Sequence, residues 1–172
     1  MQDVDVIDFF NQQLTLATKD RSHPYRLFSV ATTDPEGNPD TRTVVIRDFE
    51  PANNIITFHS NINDKKIQHI KNNPNICLLF YSLEHRVQYR VYAKASVHYM
   101  DDITQAKWVS MPHNCYKTYI KDLDGIDKNN IACSPQELAQ AYPLFSVIKC
   151  HYDKLSYLKL VHNGNISIDV SV

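Results

Sequence analysis

Two short basic stretches carry the chemistry most easily read from this chain. One is Arg42-Thr43-Val44-Val45-Ile46-Arg47; the other is Asn63-Asp64-Lys65-Lys66, reached through Phe58-His59-Ser60-Asn61. Arginine presents a phosphate with a planar fork of donors, and lysine with a compact charge. Lys65 and Lys66 fall in the first turn of an expected helix, where free N–H groups and the helix dipole also favour an anion. Cations at that end disfavour the helix itself, and a bound anion would resolve the conflict. The plain alternative is solvated surface. Residues 42 and 47 are also an odd number apart, so a regular strand points them to opposite faces. They meet at one phosphate only if the strand bulges or Arg47 approaches from beyond its end. A third stretch, Arg86-Val87-Gln88-Tyr89-Arg90, sets Gln88 on one strand face with both arginines. An amide that donates and accepts suits the edge of a heterocycle, and an exposed polar strand face explains it as well. His59, His113 and Cys115 are acid–base candidates by residue type only. No residue is assigned as catalytic, and no metal site is expected.

These stretches belong to a chain of 172 residues, 43% hydrophobic and 22% charged, with a formal net charge of −1. That is one domain with enough apolar material for a core, and no global attraction to nucleic acid or anionic membrane. Its three glycines, Gly37, Gly125 and Gly164, are scattered. That excludes the clustered-glycine loops that cradle phosphate with backbone N–H groups, so side chains must hold any phosphate. Four separated cysteines with no C-x-x-C pair, and an acidic start without a signal-peptide pattern, lead to the expectation of a cytoplasmic chain with reduced thiols. The longest apolar run, residues 76–81, is too short to span a bilayer.

The elements that must position the basic residues follow from periodicity. Residues 4–18 read as a helix with Val4, Ile7, Phe10, Leu14 and Ala17 on one stripe. Strands are expected over 25–33, 41–49, 54–60, 76–82, 86–100, 145–152 and 156–161. An Asn163-Gly164 hairpin turn then leads into 166–172. Residues 34–39 read as a turn cluster, and helices are expected over 63–72, over 101–109 and from Ser134-Pro135. Residues 113–133 show no clean period. Many strands without regular β–α alternation predict a mainly β (α+β) fold, an antiparallel split β-barrel with a few peripheral helices; a sandwich has the same periodicity.

In order and spacing, Arg42-x-x-x-x-Arg47, Phe58-His59-Ser60-Asn61, Asp64-Lys65-Lys66, residues 70–74, Leu78-Leu79-Phe80 and Gln88-x-Arg90 resemble the pyridoxamine 5′-phosphate oxidase-like family of FMN-binding split barrels. The resemblance covers about residues 24–97. It implies FMN as cofactor, with Arg42 and Lys66 on its phosphate and Lys65 and Arg47 beside them. The backbone of Arg42, Thr43, Val44, Val45 and Arg47 would lie along the ring, with His59, Ser60 and Gln88 contacting the flavin. It also implies a homodimer with FMN at the interface. Downstream the chain departs from the family. Met111-Pro112-His113-Asn114-Cys115 stands where the oxidases carry an Arg-Pro and a Ser for substrate phosphate, and no Arg-x-His occurs near the end. The resulting expectation is an FMN flavoprotein, an oxidoreductase on an unidentified small molecule with NAD(P)H as candidate reductant, and not an efficient pyridoxamine-phosphate oxidase. The alternatives are a non-catalytic flavin-binding or sensing module, and a split barrel that binds haem or another cofactor.

Overall fold

The computed structural model describes residues 3–127, 129, 131–162 and 164–172. The side chain of Val4, expected on the helix stripe, and Asn163, expected in the hairpin turn, lie outside what is described.

Helix α1 (Asp3–Lys19) buries Val6, Phe10, Leu14 and Ala17 completely, with Ile7 and Phe9 partly buried beside them. Four strands follow: β1 (Leu27–Thr33), β2 (Pro39–Val45), β3 (Asp48–Glu50) and β4 (Ile55–Asn61). Tyr25 and Arg26, expected to open the first strand, belong to a 3-10 turn over Pro24–Arg26 instead, because Pro24 has no N–H for a ladder and His23 caps the turn. After α2 (Lys65–Asn72) come β5 (Asn75–Ser82) and β6 (Val87–His98). Helices α3 (Asp102–Ser110), α4 (His113–Ile120) and α5 (Pro135–Ala141) precede β7 (Phe145–Lys159) and β8 (Ile166–Ser171).

All strand pairs are antiparallel, in the order β2-β1-β5-β6-β7-β4-β3, with β8 added to β7. The ends of this path, β2 and β3, are joined only by Ile46 and Arg47. Val45 and Asp48 are therefore at most about 11 Å of chain apart. The sheet must curl until its edges meet, which makes it a split barrel and not a sandwich.

Three sequence expectations are corrected. The strand expected over 41–49 is two strands: Ile46 N–H still donates to Arg26, but Arg47 N–H donates to Thr57, so the chain changes partner there. The two strands expected over 145–161 are one. Residues Phe145–His151 pair with β4 and Lys154–Lys159 with β8, while residues 147–159 pair with β6 across a register shift beside Asp153. Polar Asp153 and Lys154 read as a break, but a bulge absorbs one extra residue without ending a ladder. Within the stretch that showed no period, residues 113–120 form α4, whose Tyr116, Tyr119 and Ile120 are buried.

Two apolar clusters result. The barrel interior closes over α1, where the Phe10 ring meets Phe49, Phe80, Tyr89 and Tyr152 at centroid distances of 4.8–6.4 Å. The second cluster joins α3, α4 and α5 to the start of β7. Trp108 lies within it, against Tyr116, Tyr119, Tyr142 and Phe145. The cleft described next lies where the β2–β3 crossover faces that second cluster.

Candidate functional site

A cleft of about 300 Å³ opens beside the crossover. Its first wall is Thr43, Val44, Val45 and Arg47; its second is His59, Ser60 and Asn61 at the end of β4, with Asp64 and Lys66 at the start of α2. Cys115, Thr118, Tyr119 and Asp122, from α4 and its exit, form the third. Seven of the ten residues expected at the site thus line one cleft: Thr43, Val44, Val45, Arg47, His59, Ser60 and Lys66. The parity problem of Arg42 and Arg47 is resolved by separation rather than by a bulge. The strand ends between them, and they face different partners.

The other three expected residues stand elsewhere. Arg42 donates from Nη1 to the Val30 carbonyl (3.2 Å) and to Thr32 Oγ1 (2.7 Å), and pairs through Nη2 with Asp40 (2.5 Å). Thr32 Oγ1 in turn contacts His69 Nδ1 at 3.0 Å. Lys65 is exposed on α2 outside the cleft lining. Gln88 is half-buried on β6, between Tyr81 and Leu158 in the ladder.

Within the cleft the cations are already engaged. Lys66 Nζ donates to Asp64 Oδ2 at 2.5 Å and to Ser60 Oγ at 2.9 Å, and Ser60 Oγ donates to the same carboxylate oxygen at 2.6 Å. Burial pushes the Asp64 carboxyl up, but the Lys66 and Ser60 donors and the Lys66 charge together hold it below the usual carboxylate range. The Arg47 guanidinium reaches Cys115 Sγ at 3.5 Å, a weak acceptor. Asn61 donates to Asp122 at 2.6 Å, tying the exit of α4 to β4.

Among the cleft-lining residues His59 has the unsatisfied atoms; Tyr25, Thr57 and Tyr89 carry others elsewhere in the core. Both ring nitrogens of His59 are buried and have no hydrogen-bond partner among the described residues. Phe145 stands edge-on to the ring at 4.9 Å. Burial, then the charges of Arg47 and Lys107, push its pKa down to about 3, so the ring is neutral at physiological pH and carries one N–H and one lone pair. Buried polar atoms without partners are rare in native structures, and here two of them sit on one ring in a cleft wall. His59 and Arg47 also form the boundary to a second cavity of about 180 Å³, lined further by Arg26, Lys107, Met111 and Pro112. There Lys107 is paired with Asp48, and Arg26 donates to the last carbonyls of α1 at Ala17 and Thr18.

His59 makes stability pH-dependent with a definite sign. An unfolded histidine takes a proton near pH 6.5 and the folded one only near pH 3, so the unfolded state binds more protons between those values. Its contribution is therefore complete above about pH 6.5 and falls as the solution is acidified. By pH 5 the loss is about 2 kcal/mol. Urea unfolding at pH 7 and pH 5 should show the parent losing that much more stability than His59→Phe. Equal losses would mean that the ring is protonated when folded.

Sequence reasoning passed over Asp64, Asn61, Thr118, Tyr119 and Asp122. Asp64 and Asn61 stand in the quoted motifs, but with no role assigned to them. Thr118, Tyr119 and Asp122 depend on α4, for which the spacing of Tyr116, Tyr119 and Ile120 is the available signal.

Residues 8–99, just over half of the chain, match the model of the pyridoxamine 5′-phosphate oxidase, FMN-binding domain, family. Among curated relatives, the pyridoxine/pyridoxamine 5′-phosphate oxidase of Porphyromonas gingivalis is 28% identical over 107 residues, 62% of this chain and 48% of that protein. The enzyme of the same name from Shewanella pealeana is 34% identical over 85 residues, 48% of this chain and 39% of that protein. The chain spans about half the length, or less, of these relatives. Among solved structures, a pyridoxamine 5′-phosphate oxidase-related, FMN binding protein from Nostoc punctiforme aligns with a TM-score of 0.68 at 17% identity, over 96% of both chains. PhzG from Burkholderia lata, in complex with tetrahydrophenazine-1-carboxylic acid, aligns with a TM-score of 0.65 at 10% identity, over 96% of this chain and 92% of that one. At such identities the structural likeness concerns the fold.

Proposed function

The chain belongs to the pyridoxamine 5′-phosphate oxidase FMN-binding family, and from that premise we propose that it is a flavoprotein that holds FMN in the cleft between β2, β4 and α4 and acts as an oxidoreductase on a small molecule. The observation that carries this reading is His59, whose two ring nitrogens are buried and unpartnered in the wall of the cleft that Arg47 and Lys66 also line. A flavin has a planar edge that alternates donors and acceptors, and the neutral imidazole has one of each to offer. The residues fit that ring end; the Lys66–Ser60 pair suits an anion but already holds Asp64. When bound, FMN supplies hydride or one-electron transfer. The chain's own part is to orient the ring along the Thr43–Val45 backbone, to face it with His59 and to exclude water with α4.

Dimerisation belongs to the same reading. On the outer face of the sheet Leu27, Leu79, Tyr81 and Tyr92 are between 37% and 56% exposed, an apolar surface on adjoining strands. Thr43 and Val45 of the cleft lie on that face, opposite Ser29 and Leu27. Gln88 lies on it too, but on β6, three strand spacings or about 14 Å across the sheet from β2. Its amide can join the cleft if a second copy covers the face, so that the flavin is held by two chains.

Purified protein is expected to be yellow, to release FMN on denaturation and to scatter light as two chains. NADPH or NADH should bleach the flavin anaerobically, and an acceptor should restore it. Colourless protein that FMN does not stabilise against heating would end the flavin reading. A yellow monomer would end the shared site, and a yellow dimer that no reductant bleaches would point to a non-catalytic flavin module. No helix among the described residues is long and apolar enough to cross a membrane. The four free cysteines suit the cytoplasmic setting proposed with this reading.

A further inference from the structure

The cleft that this reading fills with a flavin contains an anion of its own. Asp64 Oδ2 accepts from Lys66 Nζ at 2.5 Å and from Ser60 Oγ at 2.6 Å, and those two donors are themselves 2.9 Å apart. An ammonium and a hydroxyl converging on one oxygen are the donor set that a phosphate oxygen would use. Asp64 is also the N-cap of α2, yet its side chain accepts no capping bond from the helix. An aspartate at that position ordinarily turns to the N–H groups of the first turn; this one is turned to Lys66 and Ser60.

The charges around the cleft agree. Its lining carries two cations, Arg47 and Lys66, and two carboxylates, Asp64 and Asp122. His59 adds none, and Arg42 is bonded to Asp40, Thr32 and Val30. A phosphate monoester, close to a dianion at neutral pH, would enter a cleft whose formal charge already sums to zero.

We propose that Asp64 sets the charge selectivity of this cleft: its carboxylate fills the anion position between Lys66 and Ser60, so a flavin phosphate must displace it, and riboflavin binds about as well as FMN. The proposal rests on the flavin reading for its ligands, but not for its test. Asp64 is partly exposed, and asparagine is an equally good N-cap, so Asp64→Asn removes the charge while keeping the helix start.

FMN and riboflavin are titrated into the parent and Asp64→Asn, following quenching of flavin fluorescence. The two Kd values should agree within about threefold in the parent. In Asp64→Asn FMN should tighten about tenfold or more while riboflavin stays put, the scale of one charge-assisted hydrogen bond regained. An equal change for both flavins, no change, or weaker FMN binding would show that Asp64 merely orients Lys66, and would overturn the proposal. Inorganic phosphate gives the arm that needs no flavin. At millimolar concentration it should raise the Tm of Asp64→Asn and leave that of the parent unmoved. If neither flavin binds either protein but this difference appears, the flavin reading falls and the role of Asp64 stands. Phosphate acting alike on both proteins overturns it.

Discussion

Lys66→Ala should weaken FMN binding by about 1.5–3 kcal/mol, roughly tenfold to a hundredfold, the range for a hydrogen bond to a charged group. Riboflavin affinity should hold within about threefold. Two effects act together. The ammonium that would meet the phosphate is gone, and Asp64 loses its cationic partner, so its charge opposes the phosphate without compensation. Arg42→Ala is the informative control. The family resemblance places Arg42 on the phosphate, whereas its guanidinium here is bonded to Asp40, Thr32 and the Val30 carbonyl. Its removal should appear mainly as lost stability, with FMN and riboflavin affected alike. Isothermal titration of both flavins into both variants decides this. Unchanged FMN affinity in Lys66→Ala would place the phosphate elsewhere.

Phe10→Ala should cost about 3–5 kcal/mol of unfolding free energy, the range for emptying a buried phenylalanine site. The ring is completely buried and meets four aromatic rings drawn from β3, β5, β6 and β7. Those strands are fixed by their ladders, so the space left behind collapses poorly. Because a domain of this kind has only about 5–15 kcal/mol in hand, the variant should be partly unfolded well below the midpoint temperature of the parent. Urea denaturation gives the figure. A loss under about 1 kcal/mol would mean that α1 is not an integral part of the barrel core.

The same residues show what can be read locally. The α1 stripe, the turn at Asp34–Asn38 with Gly37 at φ +87°, and the alternation of β6 are all legible. In each case the periodicity of a helix or strand, or the need for positive φ, leaves its mark within a few residues. Capping boxes at Asp101–Thr104 and Ser134–Glu137 mark two helix starts in the same way. Where β2 ends was not legible, because Thr43, Val44 and Val45 run into Ile46 without a break in strand-forming character. Arg47 leaves the strand only because Thr57, ten residues on, offers the carbonyl that its N–H takes.

The sequence by itself determined many antiparallel strands, an amphipathic first helix and a set of basic residues near one another in the chain; that the sheet curls and closes over that helix was decided by the tertiary structure. The tertiary structure decided which of those residues share a cleft. Arg42 and Arg47 part because the chain changes strand partner between them, and α4 closes the third wall because it packs on a second core formed with the start of β7. The tertiary structure also decided that Lys66 would face a carboxylate. Residue type makes Asp64 a helix cap, a counter-ion or a solvated surface group with equal ease. Only the simultaneous approach of Ser60 from β4 and Lys66 from α2 selects among them, since the energy of an ion pair depends on through-space distance and burial.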